Sequence, residues 1–145
     1  MTDLKLLALD EKGLEVISAH AQDAVIRVAD MGFAKSDNRF ACIMNRFVWE
    51  EKSPNSKGVR RRAAMHFEHV LSVKSQGIDT NAHDGVLNLL MIDFNPTNAP
   101  EGIVNLRFAG GGTVQLIVEC LEMRLNDLGA SWAAKAVPSH NIIDE

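Results

Sequence analysis

Most of the residues that could do chemistry lie in one short stretch. Lys57, Arg60, Arg61 and Arg62 form a basic run, preceded by a segment that holds Lys52. A guanidinium offers a planar fork of donors that fits a carboxylate or a phosphate. On an extended chain Arg60 and Arg62 share one face and Arg61 points the other way. The plainer alternative is a solvated strand end whose arginines pair with Glu50 and Glu51. Just downstream comes His66-Phe67-Glu68-His69, a mixture of imidazole and carboxylate of the kind that binds metal or moves protons. On a strand His66 and Glu68 share the polar face and His69 turns toward the core. Two adjacent ligands need a third from elsewhere, for which His83 and Asp84 are candidates. The spacing matches neither HExxH nor HxxEH, so no metal or other cofactor is expected.

Other residue groups carry weaker signals. Gly110-Gly111-Gly112 follows a strand-like run, but no Lys-Ser/Thr comes after it. A hairpin turn is the expected reading, rather than a phosphate cradle. Cys42 and Cys120 both sit in apolar runs, where thiols are normally inert. Ser139-His140 lies outside any nucleophile elbow. Trp49 ends a strand beside the basic run and either marks a contact surface or caps an open end of the fold. Trp132 is expected to anchor the C-terminal tail.

Composition bounds what these groups can serve. The chain has 145 residues, 46% apolar and 23% charged, which fits a single globular domain over 1–145. The net charge of −4 is uneven: residues 35–74 carry +5 and the remainder −9. An acidic whole argues against a dedicated nucleic-acid binder, while a local cationic face can still hold an anion. The longest apolar run is the five residues Phe40 to Met44, far short of the roughly 20 a membrane-spanning helix needs. Two cysteines without metal-type spacing, and an N-terminus unlike a signal peptide, lead to an expectation of a cytoplasmic protein.

The elements that must position these residues read as follows. LKLLAL (Leu4 to Leu9) is strand-like, and Asp10 is a fitting N-cap for a helix over 11–22 with Leu14, Ile17 and Ala21 on one face. Ala24 to Met31 and Phe40 to Trp49 suggest a hairpin about a polar turn. Residues 50–58 read as a loop. Val59 to Val73 alternates apolar and polar, which predicts one long half-buried strand, with a helix through Ala63, Phe67, Val70 and Leu71 as the second reading. Val86 to Phe94 is apolar on both faces and reads as a central strand. Ile103 to Phe108 and Thr113 to Val118 flank the glycine turn. Val118, Leu121, Leu125 and Leu128 then space as one helix face, with Gly129 as its C-terminal stop. Because that stripe could begin at Val114, residues 113–120 remain open between strand and helix.

This order gives an α+β fold: a strongly bent antiparallel sheet, or partly open barrel, of about seven strands with a C-terminal helix and an extra helix after the first strand. It resembles the pleckstrin-homology-like barrel in element order alone. Two stretches, RRRAAMHFEHVLSVKSQGID (Arg60 to Asp79) and LRFAGGGTVQLIVECLEMRLNDLGASWAAKAVPSH (Leu106 to His140), resemble a family of small bacterial proteins of unknown function. The resemblance implies a single-domain, cytoplasmic bacterial protein and supplies no site residues.

The expected function is a non-enzymatic module that binds a protein partner or a small anionic ligand through Lys57, Arg60 and Arg62, with Trp49 nearby. No nucleic acid and no membrane insertion are expected. The alternatives are a metal-assisted enzyme built on His66 and Glu68, and a structural subunit of a homo-oligomer.

Overall fold

Asp10 begins the helix as its chemistry requires: its carboxylate accepts the backbone N–H of Gly13 at 2.8 Å. The structure, a computed structural model, describes residues 3–51 and 57–134. Strand β1 (Lys5–Ala8) leads into helix α1 (Glu11–Ala21), which buries Leu14, Ile17 and Ala21. Nine further strands follow: β2 (Val25–Arg27), β3 (Met31–Ala34), β4 (Arg39–Phe47), β5 (Val59–Phe67), β6 (Val70–Gln76), β7 (Val86–Pro96), β8 (Gly102–Phe108), β9 (Thr113–Val118) and β10 (Met123–Ala133).

All pairings are antiparallel, in the order β1-β10-β5-β4-β2-β7-β8-β9-β6, with β3 branching off β4. The sheet is open. The chain is thus α+β with one helix after its first strand, as expected, but with ten strands and no C-terminal helix among the described residues. The likeness to a pleckstrin-homology-like barrel, which needs that helix, does not carry over.

The missing helix has a clear physical reason. In β10 the buried residues are Met123, Leu125 and Asp127, a period of two. Leu128, which the helical stripe required on the buried side, is 49% exposed. Residues 113–118 are likewise strand, with Val114, Leu116 and Val118 buried. Gly129 adopts φ +90° where the β10–β5 register shifts between Asp127 and Ser131, so it serves a bulge and not a helix end.

The expected strand over 59–73 is two strands. The chain turns at Glu68 and His69, the latter at φ +58°, and β6 leaves to pair with β9. The alternation holds through β5, where Arg61, Ala63, Met65 and Phe67 are buried, and the turn then resets it. His69 is therefore 44% exposed at its side chain, where an unbroken strand would have sunk it in the core.

The Ala24–Met31 run is likewise split. A 3₁₀ turn at Val28–Asp30 separates β2, which pairs with β7, from β3, which forms a hairpin with β4 through Lys35–Asp37 and a left-handed Asn38. Strand β7 is central, but a register shift between Leu89 and Met91 leaves Leu90 and Met91 exposed instead of burying both faces.

The buried residues form one hydrophobic cluster drawn from the strands and α1. Phe40, Phe67, Leu89, Leu106 and Leu116 meet there, and α1 packs over β7 and β1 at one end. The hairpin at Gly110-Gly111-Gly112 is as expected: Phe108 donates to the Gly112 carbonyl, and Gly110 and Gly111 have positive φ.

Candidate functional site

The three arginines have three different fates. Arg61 is buried, as its parity on β5 dictates. Its guanidinium meets Asp127 at 3.1 Å and Asp3 at 3.0 Å. Arg60 sits beside the opposite face but is half-buried. Its Nη1 donates to the carbonyls of Asp23 and Asn45, both at 3.1 Å, and it lies over the Phe47 ring at 5.7 Å. Burial lowers its pKa, against the opposing pull of the Asp23 charge. Its Nη1 is thus engaged within the protein. Arg62 is exposed and has no hydrogen bond or ion pair among the described residues.

Arg62 borders a cleft of about 320 Å³ with Val25, Arg27, Asp30, Ile43, Met44 and Asn45. Cross-strand pairing builds it, because Arg62 faces Asn45 and Asn45 faces Val25. Asp30 is held by Arg27 at 3.0 Å, and that contact is the leading cause of the raised Arg27 pKa. The two charges offset each other, so the cleft keeps the positive charge of Arg62. Lys57 stands exposed just ahead of β5. Lys52 lies outside the described residues.

Trp49 is a structural anchor. Its indole N–H donates to the carbonyl of Gln22 at 3.0 Å, and its ring lies 4.5 Å from that of Phe47. It ties the end of β4 to the end of α1. The Trp132 side chain and Ser139-His140 lie outside the described residues.

His66 and Glu68 do share a face, with Nδ1 3.3 Å from Oε1. Glu68 also accepts Arg39 Nε at 2.7 Å. The turn adds a pair that the sequence does not signal: His69 Nε2 meets Glu122 at 2.9 Å, with Arg124 at 3.8 Å from the same carboxylate. These residues line one polar groove, whereas His83 lines a different groove with Val73, Ile78 and Thr80. Among the described residues no three His, Cys, Asp or Glu side chains converge as metal ligands.

Arg46 and Asp127 are buried charges paired with each other, and no sequence motif marks them. Arg46 is fully buried. It binds Asp127 through Nε and Nη2 at 2.8 and 3.0 Å, and Glu50 at 3.1 and 2.8 Å. A usable signal existed, since Arg46 falls on the buried phase of Phe40, Cys42 and Met44, and Asp127 on that of Met123 and Leu125. A charge on a buried phase implies a partner there.

Among the described residues no helix is long and apolar enough to cross a membrane. No curated protein and no solved structure matches the chain. Residues 4–140 match a family described as a protein of unknown function, DUF2948, and the chain belongs to that family.

Proposed function

We propose that the protein is a non-enzymatic binding module that takes an anionic group, on a small ligand or a protein partner, against Arg62. The observation that carries this reading is the exposed Arg62 guanidinium, without a partner among the described residues, beside a cleft whose other charges offset each other. A fork of free donors at such a place suits a phosphate or carboxylate. Asn45 adds an amide on the next strand, and Lys57 adds a second cation ahead of β5. Arg60 supports the site by fixing the carbonyls of Asp23 and Asn45, so it positions the cleft and does not itself grip the ligand.

The test is titration with inorganic phosphate and with a phosphoserine peptide at two salt concentrations, followed by calorimetry. Saturable binding that weakens with salt is expected. Arg62→Glu lowers affinity at least tenfold, Lys57→Glu lowers it less, and Arg62→Lys keeps part of it. Unchanged binding in Arg62→Glu contradicts the reading.

A further inference from the structure

Among the described residues the open sheet leaves a gap between β3 and β6. Among the described residues strand β3 pairs with β4 alone, and β6 pairs with β9 along one edge while its other edge is tied to the β3–β4 hairpin only at its start, where the Val70 N–H donates to the Asn38 carbonyl at 2.8 Å. The free edges of both border the same groove of about 310 Å³, lined by Met31, Phe33, Val73, Ser75 and Ile78, with Phe40 and Val114 of the core at its floor. On the other side of β3 lies a second groove of about 690 Å³, which includes Ala41, Ile43 and Ala64. The two grooves share Ala29, Met31, Gly32 and Phe33, so β3 is the wall between them. In an antiparallel pair every second residue turns its N–H and C=O away from the partner strand. β3 therefore presents backbone donors and acceptors to the gap. Its Gly32 leaves the approach open, since a Cβ there would meet no atom within 4 Å.

We infer that this edge takes an extended polypeptide segment of a partner protein by strand addition, with alternate side chains entering the two grooves and an acidic residue lying beside Lys35. The match is one of period. Successive side chains of a strand point to opposite faces, and β3 has an apolar groove on each face. The charge argument selects the acidic end. Asp30 and Arg39, which line the larger groove, are each in an ion pair, with Arg27 and Glu68. Lys35 follows β3 directly and has no ion pair among the described residues. Its Nζ lies over the Phe33 ring at 5.8 Å and makes only a long 3.4 Å contact to the Leu71 carbonyl across the gap. A carboxylate is a stronger acceptor for that ammonium than the carbonyl. This surface adjoins the Arg62 cleft through Asp30 and Ile43 but does not depend on it.

The test uses a phage-displayed library of random nine-residue peptides selected against the full chain. Enriched peptides are expected to alternate apolar and polar residues and to carry Asp or Glu at one end. In the tightest of them, N-methylation at alternate positions separates the two edges of the peptide. One pattern is expected to lose at least tenfold in affinity and the other to bind within threefold of the parent. Lys35→Glu is expected to lower affinity at least fivefold, and a lysine in place of the peptide's acidic residue to restore it. Amide exchange at Gly32–Ala34 slows on binding. No enrichment over an unrelated protein, equal effects of the two methylation patterns, or wild-type binding by Lys35→Glu each overturns the inference.

Discussion

Arg46 on β4 and Asp127 on β10 meet in the interior through two hydrogen bonds of 2.8 and 3.0 Å, although β5 lies between their strands. Both side chains are fully buried. Arg61 of β5 joins the same carboxylate, and the backbone N–H of Leu4 donates to it at 2.9 Å. One carboxylate thus holds two arginines that face each other across β4 and β5, together with the entry to β1. Burial pushes the Asp127 carboxyl up. The Arg46 and Leu4 hydrogen bonds and the charges of Arg46 and Arg61 more than offset that, leaving it below the ordinary carboxylate range.

Asp127→Ala leaves two buried guanidinium groups without their shared counter-ion. Breaking a buried pair in this way costs about 3–5 kcal/mol. Urea unfolding should show that loss, and a loss below about 1 kcal/mol contradicts the arrangement.

The same carboxylate sets a pH dependence. A depressed native pKa contributes stability that is fully present above the unfolded value of about 3.9. That stability falls as pH drops through the native value, and Glu50, lowered in the same direction beside Arg46, adds to it. Melting temperature should therefore be flat near neutrality and fall below about pH 4. Asp127→Asn flattens the acid limb, and an identical limb in that variant contradicts the assignment.

Gly102→Ala tests the packing of β7 on β8. A Cβ at 102 would run into the edge of the Phe94 ring and lie 2.9 Å from the Asn95 carbonyl. Overpacking of this kind costs about 1–3 kcal/mol. Phe94→Leu in the same chain should recover part of it, as thermal melts of the single and double variants would show.

The two thiols should differ in reactivity. Burial, with a smaller push from the Asp30 charge, raises the Cys42 thiol to about 12, while Cys120 is half-buried. The thiolate is the reactive form. With Ellman's reagent at pH 8 the native protein should release at most one fast equivalent, and two in denaturant. Two fast equivalents in the native state contradict the burial of β4's inner face.

Local signals in the sequence translated directly into structure. The Asp10 cap, the Leu14–Ile17–Ala21 face, the glycine hairpin and the β5 alternation each depend on residues within a turn or a strand of one another. The C-terminal element did not read correctly, because Leu121 and Leu125 satisfy a helical and an extended period equally well. What selects the strand is distant: β1 and β5 flank it, and Arg46 and Arg61 await Asp127. The site divides in the same way. Parity separated Arg61 from its neighbours. Nothing local tells Arg60, which finds carbonyls 37 and 15 residues away, from Arg62, which finds none among the described residues.

The most direct measurement of the anion-binding account is an NMR titration with inorganic phosphate that follows arginine side-chain Nε–H signals. The Arg62 signal should shift saturably and carry the largest change, while those of Arg46 and Arg61 stay fixed in the core. A saturable shift centred on any other arginine, or no shift at Arg62, contradicts it.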